Sequence, residues 1–223
     1  MGIEIVNFFV MADNYLEKKF EEFKSGSSSK KHIVKNQNKS LNDLLLKNRS
    51  YRGYDSNYIV TKEELMEIVG VNNKLPSARN QQVLRFRLVT CEEADKVFPY
   101  TKWAGALAEL HLPFEGTEPN AFIVVCSTAA ENKWVDIDLG ISAQSMLLKA
   151  VDMGLNGICI GSYNKEEISK NLGLAIDPIM VIAIGKGIEK IQLTSISEGD
   201  NHNYYRKEGL HFVPKVNIGD LIL

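Results

Sequence analysis

Helical and strand-like patterns alternate along this sequence, which predicts an α/β or α+β fold. Three observations carry that expectation. Ala121 to Ser127 is a continuous apolar run, the pattern of a strand buried on both faces. Ile179 to Ile184 reads the same way and is stopped by Gly185. Between them, Asp136 to Met153 reads as a long helix with apolar residues around more than one face, which places it centrally or at a subunit interface. No internal repeat is visible.

The remaining elements follow in order. Ile5 to Phe23 reads as a helix and gives way to Ser25-Gly26-Ser27-Ser28-Ser29, a flexible linker by composition. Residues 1–39 are therefore expected to form an N-terminal helical appendage with a Ser-rich linker, and residues 40–223 the core domain. Ser40 is the expected N-cap of a helix from Leu41 to Asn48. Thr61-Lys62-Glu63-Glu64 is a capping box that opens a helix to about Val69. Leu84 to Thr90 sets Leu84, Phe86 and Leu88 against Arg85 and Arg87, which predicts a strand with one wet face. Gly154 ends the long helix. A short strand from Gly157 to Ile160, a turn at Gly161-Ser162-Tyr163 and a helix from Glu166 to Leu172 stopped by Gly173 come next. The tail from Tyr204 holds Val213-Pro214-Lys215 and closes on Leu221-Ile222-Leu223.

Composition bounds the function. An apolar content of 44% and a charged content of 24% are ordinary for a soluble globular chain of 223 residues. A formal net charge of −2 argues against nucleic acid as a partner. Ile3 to Ala12 is broken by Glu4 and Asn7 and is far short of the ~20 residues of a membrane span. It also lacks the basic region and cleavage site of a signal peptide. Cys91, Cys126 and Cys159 form no redox pair or metal knuckle, which suits a reducing cytoplasm. His32, His111, His202 and His211 show no metal spacing, so no metal is expected. No G-x-G-x-x-G follows a strand, so a dinucleotide would not bind through a Rossmann fingerprint.

Two stretches point to chemistry. Asn48-Arg49-Ser50-Tyr51-Arg52 sets two guanidinium groups and a hydroxyl at the end of a helical pattern. That suits an anion, because each guanidinium is a fixed fork of donors. It equally suits a solvated helix end whose arginines relieve the macrodipole. Pro76-Ser77-Ala78-Arg79-Asn80-Gln81-Gln82 is a small-residue turn that runs into a strand, either an ordinary turn or one whose backbone approaches a flat ligand. Trp103, in the segment Phe98 to Gly105, either stacks on a ring substrate or anchors the core.

In this order the stretches resemble the FMN-dependent nitroreductase family. Three later features extend the likeness: the helix running through Leu155-Asn156-Gly157 to Ile160-Gly161-Ser162, the strand Pro178 to Gly185, and Val213-Pro214-Lys215. The likeness covers roughly Leu41 to Leu223. The chain departs from the family's pattern in having Val83-Leu84 after Gln82, Ile160 before the turn glycine where some relatives have Glu, and Val216 after Lys215. The last leaves one fewer cation for a phosphate.

The resemblance implies an α+β, three-layer α/β/α fold. Its sheet would be mixed and mainly antiparallel, flanked by helices, with a C-terminal extension exchanged across a homodimer. It implies FMN as cofactor and NADH or NADPH as electron donor, with electrons passed to a nitroaromatic, quinone or similar small acceptor by a ping-pong mechanism. Arg49, Ser50, Arg52 and Lys215 would hold the phosphate. Pro76, Ser77, Ala78, Asn80, Ile160 and Gly161 would line the flavin, and Trp103 the substrate. Arg52, or alternatively Arg79, would meet the charge of the reduced ring. No catalytic side chain is implied, since hydride transfer needs alignment above all. The competing readings are a flavin store or sensor, and a family offshoot that fragments flavin or removes halogens.

Overall fold

The computed structural model describes residues 39–223. The helix expected over Ile5–Phe23 and the Ser-rich linker lie outside these residues.

Helix α1 spans Leu41–Lys47 and is opened by a reciprocal cap. Ser40 Oγ accepts from the Asp43 amide at 3.1 Å, and the Asp43 carboxylate accepts from the Ser40 amide at 3.1 Å. Helix α2, Lys62–Val69, carries the expected Thr61–Glu64 capping box. Strand β1 is Leu84–Val89, and β2 is Ala121–Ser127 with all seven residues buried. Helix α3, Lys133–Asp152, starts three residues before the expected Asp136. The reason is Asn132, whose side-chain oxygen accepts from the amides of Trp134 and Val135 at 2.9 and 3.4 Å. Lys39 Nζ donates to the Val151 and Asp152 carbonyls at the other end. Strand β3 (Asn156–Ile160), helix α4 (Lys165–Leu172, ended by Gly173 in the left-handed region) and strand β4 (Pro178–Gly185) complete the central part.

The central sheet has the order β1-β2-β4-β3, and every pair in it is antiparallel. Its two faces sort by the period of the strand. Ala121, Ile123 and Val125 of β2 pack with Leu65 and Ile68 of α2 and with Leu139, Ala143, Met146 and Ala150 of α3. Phe122, Val124 and Cys126 point the other way, onto Ile168 of α4 and Val97. Helices on both faces make the three-layer α+β fold that the resemblance implies. Full burial of one such aliphatic side chain contributes about 1.5–3 kcal/mol, so the two clusters are the main stabilising mass.

A second sheet was not expected from the sequence. Strands β5 (Lys190–Ile196), β6 (Tyr205–Lys207) and β7 (Leu210–Val216) form it in the order β5-β7-β6, parallel between β5 and β7 and antiparallel between β6 and β7. In this single chain the C-terminal segment thus pairs with its own strands. Among the described residues no helix is long and apolar enough to cross a membrane.

Candidate functional site

The segment Asn48–Tyr54 is fastened along β3 and the exit of β4. Ser50 bridges Gly157, the Tyr51 amide donates to the Gly157 carbonyl at 3.3 Å, and the Ile188 amide donates to the Gly53 carbonyl at 3.1 Å. Gly157 lets β3 lie close beneath α3 and β4: a Cβ there would lie 2.6 Å from the Ala183 carbonyl oxygen and 2.7 Å from Leu147 Cδ2. Gly185 makes room in the same way for the ring of Tyr54, which is fully buried and whose hydroxyl donates to the Tyr51 carbonyl at 2.9 Å. The arginines of this segment are therefore carried on a backbone fastened by hydrogen bonds and close packing.

Beside it lies a cleft of about 400 Å³. Asn48, Arg49, Ser50 and Arg52 line one side, Gln144 and Leu147 of α3 another, and Tyr204, His211 and Lys215 close it from the second sheet. The fold thus gathers Arg49, Ser50, Arg52 and Lys215 from opposite ends of the chain. Asn48 Nδ2 donates to Gln144 Oε1 at 3.3 Å across its floor.

The two arginines are held differently. Arg49 Nη2 donates to the Leu45 carbonyl of α1, the helix-end contact that the bland reading of this stretch requires. Burial lowers its pKa from the usual guanidinium value. Arg52 is only 9% exposed. Its Nη1 donates to the Ser50 carbonyl at 3.1 Å, and its backbone amide donates to the Glu189 carboxylate. That carboxylate also pairs with Arg206. Four buried nitrogens have no partner among the described residues: Nε of Arg49, Arg52 and Arg206, and Nδ1 of His211. An unsatisfied buried donor costs about 1–3 kcal/mol, so the three that belong to cleft-lining residues, Arg49, Arg52 and His211, call for an explanation. His211 is buried and its pKa is pushed down to about 4, by desolvation first and then by Arg52 and Arg206. It is neutral at pH 7. The cleft is a cationic, donor-rich cavity with the chemistry of an anion site.

The turn at Pro76 lies elsewhere. Pro76 and Ser77 line a second cleft of about 210 Å³ with Leu84 and Phe86 of β1 and Asp138, Ile141 and Ser142 of α3. Ala78 borders the adjoining hollow with Asp138 and Trp134. Arg79, Asn80 and Gln82 all sit in the left-handed region, with φ of 52°, 55° and 49°. Each such residue costs on the order of 1–3 kcal/mol and persists only where its surroundings enforce it. The start of the turn is held by Asp138, 6% exposed, whose two carboxylate oxygens accept from the Ala78 amide at 2.9 and 3.2 Å. Ser77 Oγ accepts from the Gln82 amide at 3.1 Å and closes the turn. Asn80 is exposed, and its Oδ1 accepts from Gln82 Nε2 at 3.0 Å.

The other expected site residues are set apart from both clefts. Ile160 is buried in the second core cluster at the end of β3, and Gly161 is exposed just after it. The turn they open is tied to the segment that carries Trp103: the Lys102 amide donates to the Ser162 carbonyl and the Asn164 amide to the Tyr100 carbonyl, both at 2.8 Å. Trp103 itself packs against the second core cluster, 6.2 Å from the Phe98 ring, with Nε1 donating to Thr101 Oγ1 at 2.8 Å. That is the core-anchor arrangement.

One chain therefore carries two separate clefts on different stretches of α3, the arginine cleft by Gln144 and Leu147 and the turn cleft by Asp138 to Ser142. Sequence reasoning missed Asp138, Gln144, Glu189, Tyr204 and His211. Asp138 had a signal: it falls on the inward face of α3 with Val135, Leu139 and Ser142, where a carboxylate must find a partner. The rest had none, since their partners are remote in the chain. Among the described residues no group of His, Cys, Asp and Glu could hold a metal ion.

Comparison with known proteins gives the family and the fold. Residues 45–186 match the nitroreductase family. Two proteins of Bacillus subtilis (strain 168), YodC and YdgI, both provisionally named NAD(P)H nitroreductases, are 22% and 24% identical to the chain over 185 residues. The alignments cover 66% of this chain and 89% and 88% of theirs. A nitroreductase family protein from Streptococcus pneumoniae TIGR4 has a similar fold, with a TM-score of 0.57 at 14% identity over 69% of this chain and 93% of that one. So does a protein from Exiguobacterium sibiricum 255-15, solved in complex with FMN and provisionally named a nitroreductase, with a TM-score of 0.54 at 21% identity over 67% and 89%.

Proposed function

The chain belongs to the nitroreductase family, and from that premise we propose that it is an FMN-dependent oxidoreductase. It would take two electrons from NADH or NADPH and pass them to a nitroaromatic, a quinone or a similar small acceptor. The observation that carries this reading is the cationic cleft of Arg49, Arg52 and Lys215, lined also by neutral His211, with unpartnered buried nitrogens on Arg49, Arg52 and His211. A phosphate dianion supplies the acceptors that those donors lack. The B. subtilis relatives named for NAD(P)H nitroreduction and the neighbour solved with FMN support the same choice.

FMN, when bound, supplies the hydride chemistry, and the chain's residues supply position and charge. Arg49, Arg52 and Lys215 bind the phosphate, and Ser50 adds a hydroxyl. Asp138 holds the start of the left-handed Pro76–Asn80 turn and so presents that segment to a flat ligand. The two clefts lie on different stretches of α3, which supports a homodimer in which each flavin is shared between chains. Large apolar side chains exposed on α1 and α3 support it as well.

NAD(P)H and the acceptor would use the same space, so they enter in turn. Initial rates at several fixed acceptor concentrations are expected to give parallel double-reciprocal lines. Intersecting lines would mean that both substrates bind together and would exclude the single-pocket mechanism.

A further inference from the structure

Arg52 is held from the C-terminal part of the chain, beyond the residues 45–186 that match the family. Its guanidinium carbon lies 4.7 Å above the centroid of the Tyr204 ring. Behind that ring stands His211, with centroids 5.3 Å apart and planes inclined by 46°. His211 lies on β7 four residues before Lys215, and both line the arginine cleft. The second sheet therefore brings a cation and an aromatic shelf to the cleft together.

The shelf answers a specific problem. Glu189 sits immediately before β5, is almost fully buried, and already accepts from the backbone amide of Arg52. A guanidinium on a flexible stem beside that carboxylate would pair with it and be neutralised. Arg206 occupies the carboxylate from β6, and the Tyr204 face gives Arg52 a place to lie that does not consume its donors. The neutral His211 backs the ring without adding a competing anion or a repelling cation.

We propose that Tyr204 is a positioning residue: its ring, backed by His211, holds the Arg52 guanidinium in the cleft for the anionic groups of the flavin. This rests on the FMN reading above, and its test separates the two.

A double-mutant cycle on FMN affinity decides it, with Tyr204→Ala, Tyr204→Phe and Arg52→Ala. Tyr204→Ala is expected to weaken binding by roughly 3- to 30-fold, the range of a desolvated cation–π contact. Tyr204→Phe keeps the aromatic face and should stay within about twofold of wild type. In the Arg52→Ala background Tyr204→Ala should add less than about a further twofold, because its target is gone. Equal losses from Tyr204→Ala with and without Arg52, or a Phe variant as weak as the Ala variant, would overturn the proposal. If Tyr204→Ala fails to fold, Tyr204→Leu removes the π face while keeping volume and takes its place in the cycle. NMR of the FMN-free protein reads the stacking directly. The Arg52 side-chain protons should be shifted upfield by the ring in wild type and in Tyr204→Phe, and lose that shift in Tyr204→Leu. If wild type binds no FMN, the functional reading fails, while the NMR shift still establishes or refutes the stacking on its own.

Discussion

Replacing Arg49 and Arg52 together by alanine is expected to weaken FMN binding by at least about a hundredfold. Each arginine can give a phosphate at least one charge-assisted hydrogen bond, worth about 1.5–3 kcal/mol. Two such bonds lost come to at least about 3 kcal/mol, and every 1.4 kcal/mol is tenfold. Arg49 already gives one donor to the Leu45 carbonyl, so alone it should matter less than Arg52, which is nearly buried and faces the cleft. Stability of the FMN-free protein moves differently. Removing the two side chains takes away two unpartnered Nε atoms but also the Arg52 contacts with Tyr204 and the Ser50 carbonyl. The melting temperature without FMN should therefore change far less than FMN affinity does. Fluorescence titration and thermal melts check both halves. An unchanged dissociation constant together with a lowered melting temperature would return the arginines to a role at the helix end.

The second large effect concerns assembly. Wild type is expected to run as a dimer in light scattering at micromolar concentration, and Leu41→Glu combined with Ile137→Glu to run as a monomer. Leu41 of α1 is 64% exposed and Ile137 of α3 is 42% exposed, and α1 packs against α3. Leu45 at 40% and Leu46 at 53% add to the exposed apolar surface of α1, and Trp134 at 59% to that of α3. Within one subunit these positions face solvent, so two glutamates should change its folding by no more than about 0.5 kcal/mol each. At a dimer seam the same carboxylates would be buried without partners, which is strongly unfavourable. If each flavin is shared between chains as proposed, FMN should leave with the partner. A double variant that stays dimeric would place the seam elsewhere. A wild-type monomer that keeps FMN would remove the shared site.

Much of the fold was legible because its signals are local. The unbroken apolar run of β2, the Thr61 capping box of α2 and the apolar circumference of α3 each come from adjacent residues, and each element lies where those residues place it. The second sheet was not read, although Ile191 and Leu193 alternate with polar neighbours in β5. Pro214 in β7 obscured it, since proline argues against a paired strand. Pro214 in fact lies in a paired strand, opposite Thr194 of β5, on the stretch of β7 past its ladder with β6, which runs only from Leu210 to Phe212. The site was legible as motifs and not as geometry. Arg49, Ser50, Arg52 and Lys215 share a cleft, while Pro76 and Ser77 border another. Motif order cannot show that separation. Nor can it show Tyr204 beneath Arg52 or Glu189 at its backbone, because those contacts join segments far apart in the chain.

The central claim is that this chain moves electrons from a nicotinamide to an acceptor through bound FMN. The most direct measurement is anaerobic stopped-flow absorbance of the purified, FMN-loaded protein mixed with NADH or NADPH. The expected result is rapid loss of the visible flavin band, followed by its return when a quinone or nitroaromatic is added. A flavin band that stays unchanged with both nucleotides would contradict the account and leave a protein that holds flavin without reducing it.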